Sequence, residues 1–150
     1  MTFPPVKSVY EILADLLESG TLEINIPFNR KIYYHAPCKQ RLHPDISDAP
    51  SRIFNMIPGI IRVENTNLGE SAYCCGGGGL FPWSMPDISS KMADRVIHLA
   101  KTSGADIIAT TCSRCKRQLQ QGSSRLPQTG PQLMVTDLTE IVENCITLKQ

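Results

Sequence analysis

The sequence has no long apolar run, almost no net charge and no leader-like opening, and each shortage removes a class of function. Without about 18 consecutive apolar residues there is no bilayer-spanning helix to expect. Lys and Arg number 15 against 14 Asp and Glu, a formal net charge of +1, so no strong field draws the chain to nucleic acid or to an anionic membrane. The first ten residues hold two prolines, one lysine and no apolar h-region, which argues against a secretion signal. Internal repeats and low-complexity segments are also missing. What is present is ordinary for a globular protein: 150 residues, 41% hydrophobic and 19% charged, enough for one domain with a real core.

The periodicity alternates between helix and strand. Val6, Val9, Tyr10, Leu13, Leu16 and Leu17 recur on one helical face, with Gly20 as the stop. Ile32, Tyr33 and Tyr34 read as a strand that ends at Pro37 and places Cys38 in a loop. Residues 39–51 look loop-like, with Pro44 and Pro50 as breakers, and a short helix is expected over 51–56. A second strand is expected over 60–64, a helix over 87–103 with Ile88, Met92, Val96, Leu99 and Ala100 on its buried side, and a strand over 105–110. Ser84 with Asp87, or Asp87 with Ser90, would cap that helix. A helix then starts at the Cys112-x-x-Cys115 segment, a polar loop covers 123–131, and a strand over 133–135 precedes a capping box, Asp137-Leu-Thr-Glu140. This order predicts an α/β fold, Rossmann-like, with a mostly parallel sheet covered by helices on both faces. In such sheets sites form beyond the carboxyl ends of the strands, so the cysteine site belongs at that edge. The expected organisation is a helical segment over 1–30 packed on a cysteine-rich domain over 31–150.

Six cysteines raise three options: disulfides, metal binding and thiol catalysis. A chain able to build its own core, without a secretion signal, does not need a disulfide framework. The spacing C-x35-C-C-G-x35-C-x-x-C joins Cys38, Cys74, Cys75, Cys112 and Cys115. Thiolates are soft ligands suited to iron–sulfur clusters, zinc or Cu(I). Adjacent side chains diverge on a regular strand, so Cys74 and Cys75 share a centre only on an irregular backbone, which Gly76, Gly77, Gly78 and Gly79 permit. Five thiolates exceed the four of a structural zinc site and favour a multi-iron cluster, with one cysteine left free as the other option. The glycine run lacks the Gly-Lys-Ser/Thr ending of a phosphate loop.

These motifs resemble the cysteine-rich CCG domain of heterodisulfide reductase and related iron–sulfur oxidoreductases. The resemblance spans about residues 33–146 and rests on His35-x-Pro37-Cys38, Ala49-Pro50, Ile57-Pro58-Gly59, Cys74-Cys75-Gly76, Gly104-Ala105-Asp106, Cys112-x-x-Cys115 and Val135-x-Asp137. It implies a non-cubane [4Fe–4S] cluster held by Cys38, Cys74, Cys75, Cys112 and Cys115, with zinc as the alternative metal. It implies a redox module that passes electrons to a disulfide or organic substrate. Members often read His-Asp-Pro-Cys-His at the first cysteine, where this chain reads His-Ala-Pro-Cys-Lys, and often carry proline where Ser113 stands. The chain holds one CCG motif and none of the C-x-x-C-x-x-C-x-x-x-C-P runs of ordinary cubane clusters. It therefore reads as a subunit or excised domain that needs an iron–sulfur or flavin partner subunit as electron donor, with a homodimer as one arrangement of a single motif. The expected location is the cytoplasm, including the periphery of a membrane complex. Two further readings stand beside this one: a zinc module without catalysis, and a thiol–disulfide relay through the same cysteines.

Other residues have plainer readings. Cys145 falls on the stripe Leu138, Ile141, Val142, Ile146 and is expected to be a buried core thiol. His35 either orients the Cys38 loop or donates a hydrogen bond to a cluster sulfur. His43 and His98 are expected at the surface. Lys39, Arg41, Arg114, Lys116 and Arg117 place positive charge near the cysteine edge, to act on thiolates or simply to face solvent. Phe81 and Trp83 either shield the cluster or pack in the core.

Overall fold

The computed structural model describes residues 6–42, 48–63, 73–125 and 133–146. Helix α1 (Val9–Glu18) begins at a capping box in which the Ser8 hydroxyl accepts from the Glu11 amide and the Glu11 carboxylate accepts from the Ser8 amide. Because the helix starts after Ser8, Val6 lies outside it and is 96% exposed, and Val9 and Leu16 are exposed too. The buried stripe is instead Tyr10, Leu13, Ala14 and Leu17. Gly20 closes the helix with a left-handed φ of +71°.

Four strands follow: β1 (Arg30–His35), β2 (Ile60–Arg62), β3 (Ile107–Thr110) and β4 (Met134–Asp137). They pair in the order β2-β1-β3-β4, and every pairing is parallel. Each crossover carries helix, as parallel connections require. The expected α/β fold with helices on both faces is what forms, and it is Rossmann-like. Alternate residues of the central strands feed two separate cores. Ile32, Tyr34, Ile107 and Ala109 pack with α1, α3 (Ala49–Met56) and α7 (Leu138–Glu143). Tyr33 and Ile108 pack on the other face, with α5 (Pro86–Thr102) and α6 (Ser113–Arg125). No helix among the described residues is long and apolar enough to cross a membrane.

Several element boundaries differ from expectation, mostly at prolines. Helix α3 starts before Pro50, which sits in its first turn, where a missing N–H costs nothing. Helix α5 likewise opens on Pro86 with no side-chain cap, so neither Ser84 nor Asp87 plays the expected role. A further short helix, α4 (Phe81–Ser84), precedes it. Ile88 is 51% exposed, and the buried face of α5 is Ser89, Ala93, Val96, Ile97 and Ala100. Helix α6 runs on through Ser123 to Arg125, shortening the expected polar loop. The Asp137–Glu140 capping box forms as expected and starts α7 directly from β4.

Candidate metal centre

The neighbouring strands β1 and β3 end level with one another, His35 opposite Thr110. Their exits set the first cysteines. Cys38 follows β1 and, contrary to the loop expected there, opens helix α2 (Cys38–Leu42). Cys112 follows β3, and Cys115 lies in the first turn of α6. At that helix start the Lys116 amide bonds the Cys112 carbonyl at 2.9 Å, which holds the two cysteines on one turn. Cys74 and Cys75 arrive on the segment before the glycines. All five line one cavity of about 550 Å³ at the carboxyl edge of the sheet.

The adjacent cysteines share this cavity because of Gly76, which adopts φ +77°. The Gly76 amide donates to Cys74 Sγ and the Gly77 amide to Cys75 Sγ, each at 3.4 Å. Two side chains lock the turn from behind. The Ser89 hydroxyl donates to the Gly76 carbonyl at 2.9 Å, and the Gln118 amide donates to the Ser89 hydroxyl at 2.9 Å. Both are buried. The sequence reading missed them, and the available signal was a serine and a glutamine on otherwise apolar helix faces.

Cys75 Sγ lies 3.2 Å from Cys115 Sγ, and both are free thiols. The Cys115 contact, and after it burial, push the Cys75 thiol up to about 12. A metal must therefore displace this proton on binding. A ring nitrogen of His35 and these two sulfurs all lie within 4.8 Å of one another, and all three residues are buried.

The remaining candidates separate clearly. Lys39 and Arg114 line the cavity, and Arg114 also donates to the Gly79 carbonyl at 3.3 Å. Lys116 turns away to an ion pair with Glu140 at 2.5 Å, and Arg117 is exposed. The side chain of Arg41, and His43, lie outside the described residues. His98 is exposed as expected. Trp83 is 64% exposed, with the Arg114 guanidinium 5.9 Å from its ring centre, so it is not a core residue. Neither it nor Phe81 lines the cavity. Cys145 is fully buried against Leu138, Ile141 and Val142, and burial pushes its thiol up. Sequence reading also missed Ser8 and Tyr10, which bring the start of α1 to the cavity, and Gln40 and Thr111 in its wall. Tyr34 donates to Gln40 at 2.7 Å and meets the Thr111 hydroxyl at 3.1 Å.

The donor set suits a thiophilic metal or a sulfur-bridged cluster: five soft sulfurs around one cavity, with backbone N–H groups directed at two of them.

Comparison with known proteins agrees with this geometry. The CCG cysteine-rich domain family matches residues 32–120. The chain is 32% identical over 140 residues to a subunit of the dihydromethanophenazine:CoB–CoM heterodisulfide reductase of Methanosarcina barkeri, covering 93% of this chain and 34% of the relative. It is 25% identical over 136 residues to a Bacillus subtilis protein named "Probable iron-sulfur-binding oxidoreductase FadF", 91% of this chain and 19% of that one. It is 28% identical over 132 residues to lactate utilization protein A of an Exiguobacterium species, 88% of this chain and 51% of that one. The chain thus spans about a third of the length of the reductase polypeptide it matches. With the double cysteine, its glycine turn and the CxxC helix start inside the matched segment, the chain belongs to the CCG cysteine-rich domain family.

Proposed function

We propose that this chain is the iron–sulfur redox module of a larger, heterodisulfide reductase-like oxidoreductase. Cys38, Cys74, Cys75, Cys112 and Cys115 hold a non-cubane [4Fe–4S] cluster, and the N-terminal segment over 1–30 packs with the cysteine-rich part over 31–150 as one unit. The carrying observation is the convergence of all five thiols on a single cavity. Relatives named for heterodisulfide reduction and iron–sulfur oxidoreduction support the choice of iron over other soft metals. The bound cluster supplies one-electron storage and delivery. The chain's own contribution is to ligate, to direct amides at sulfur, and to leave the cavity open between Lys39 and Arg114 for a disulfide or organic substrate. Electrons come from an iron–sulfur or flavin partner subunit. The working location is the cytoplasm.

Zinc is the second reading, because two sulfurs and an imidazole nitrogen lie within 4.8 Å of one another, the size of a mononuclear site. One experiment separates the two. Anaerobic purification with iron, sulfide and zinc analysis and EPR is expected to give four irons per chain and a paramagnetic oxidised state. One zinc without colour would replace the proposal by the second reading. Cys75→Ser and Cys112→Ser are each expected to abolish cluster binding, and Cys145→Ser to retain it. Loss of the metal in Cys145→Ser with retention in Cys75→Ser would overturn the ligand set.

A further inference from the structure

We infer that His35 donates a ring N–H···S hydrogen bond to the Cys75–Cys115 sulfur pair and thereby sets the reduction potential of the metal centre, an inference that rests on the proposed ligand set. The imidazole projects from the last residue of β1, where the chain is held tightly. Its carbonyl accepts from the Thr110 hydroxyl at 2.9 Å, and its backbone pairs in register with Thr110 of β3. Side chains alternate along β1, so His35 shares the face of Tyr33, the face on which Cys75 and Cys115 are packed. The residue is 4% exposed. Its ring nitrogen lies within 4.8 Å of both sulfurs.

The cavity separates a donor role from a ligand role. Cys75 and Cys115 line the cavity and His35 does not. The two sulfurs therefore stand between the imidazole and the space a metal centre occupies, and His35 meets them from the protein side. From there a ring N–H reaches sulfur, not metal. Sulfurs that carry thiolate charge in a buried setting are strong acceptors for such a donor. The hydrogen bond disperses negative charge, and it does so more in the reduced state, which carries one charge more. It therefore raises the reduction potential. It also fixes the rotamers of two ligands that come from distant parts of the chain. His35 is in this sense a positioning residue that acts through the sulfurs.

The test uses the full chain, loaded anaerobically, as wild type, His35→Leu and His35→Gln. The midpoint potential is read by EPR-monitored titration, with iron counted per chain. His35→Leu is expected to keep its iron and titrate at a lower potential. His35→Gln, which keeps an N–H donor, is expected to titrate closer to wild type. Equal potentials in all three proteins overturn the inference. So does a nitrogen hyperfine coupling of directly bound strength that disappears in His35→Leu, since it makes His35 a ligand. A second measurement needs neither iron nor a substitution. In wild-type protein loaded with 113Cd and labelled with 15N-histidine, the His35 ring proton is expected to exchange slowly and to show a weak coupling to the metal through sulfur. A fast-exchanging, uncoupled ring overturns the hydrogen bond even where the iron reading has already failed, so the two failures remain distinct.

Discussion

Gly76 is the residue on which the double cysteine depends. A Cβ built there falls 2.7 Å from the Ser89 carbonyl oxygen and 3.1 Å from Ser89 Cα, and the residue holds φ +77°. Neither obstacle is a flexible side chain, so Gly76→Ala carries both left-handed strain and a clash with backbone. It is expected to destabilise the fold by about 1–3 kcal/mol and to lower iron per chain, because the Cys74 and Cys75 sulfurs lose their common direction. Gly78 is the control: a Cβ there meets nothing within 4 Å and its φ lies outside the left-handed region. Gly78→Ala is expected to leave the stability of the metal-free protein within about 0.5 kcal/mol of wild type. Thermal unfolding of the two metal-free variants checks the pair. At this scale the cysteines were legible because their spacing is a property of the chain itself. The Ser89–Gln118 latch was not, because it exists only once α5 and α6 lie side by side.

Among the elements, the β4–α7 junction concentrates the polar contacts. The Glu140 carboxylate accepts from Lys116 at 2.5 Å, from the Thr136 hydroxyl at 2.6 Å and from the Asp137 amide at 2.9 Å. The Lys116 contact, followed by those of Thr136 and Asp137, holds its carboxyl down at about 2, below the ordinary value of 4.5. The folded value lies below the unfolded one, so the stabilisation is complete above about pH 4.5 and is lost as pH falls from there toward 2. The side chain is 41% exposed, so solvent screens much of this effect and leaves on the order of 1 kcal/mol. Glu140→Gln is expected to lower stability at neutral pH and to flatten the acid side of the stability profile, as read by denaturant unfolding at several pH values. The capping box was legible because it is local, with an Asp and a Glu three residues apart. Helix starts at Pro50 and Pro86 were misread because proline breaks a helix interior yet fits a first turn, and only packing decides which applies. The exposure of Ile88 has the same origin: the apolar stripe of α5 is set by where the helix meets β3 and α6, which moves Ser89 inward and Ile88 out.

At the scale of the whole molecule, the cavity is closed by chain that lies outside the family match. The matched segment is 32–120, whereas Ser8 and Tyr10 of the α1 start line the same cavity as the five cysteines. Helix α1 is held by its packing on α3, by Arg52 of α3 donating to Glu18 at 2.7 Å and to Asp15 at 3.1 Å, and by Tyr10. The Arg52 contacts are surface ion pairs and contribute little. The Tyr10 hydroxyl is different: it is half-buried and donates to both oxygens of Asp137, at 3.1 and 3.0 Å. That joins α1 to the end of β4, across the sheet edge where the cysteines converge. Burial, and after it the Asp137 carboxylate, raise the Tyr10 hydroxyl well above its ordinary range, so it stays a donor at every working pH. Tyr10→Phe keeps the ring and removes this donor while Asp137 keeps its cap contacts with Thr139. The variant is expected to lose about 1 kcal/mol of stability, to keep its iron, and to expose Cys38 and Cys112 faster to a thiol reagent in the metal-free state. If α1 were only an appendage to a self-sufficient module, stability would fall while thiol access stayed at the wild-type rate. Faster labelling with unchanged metal content would instead make α1 the wall that governs entry to the cavity, placing that control outside the cysteine-bearing core.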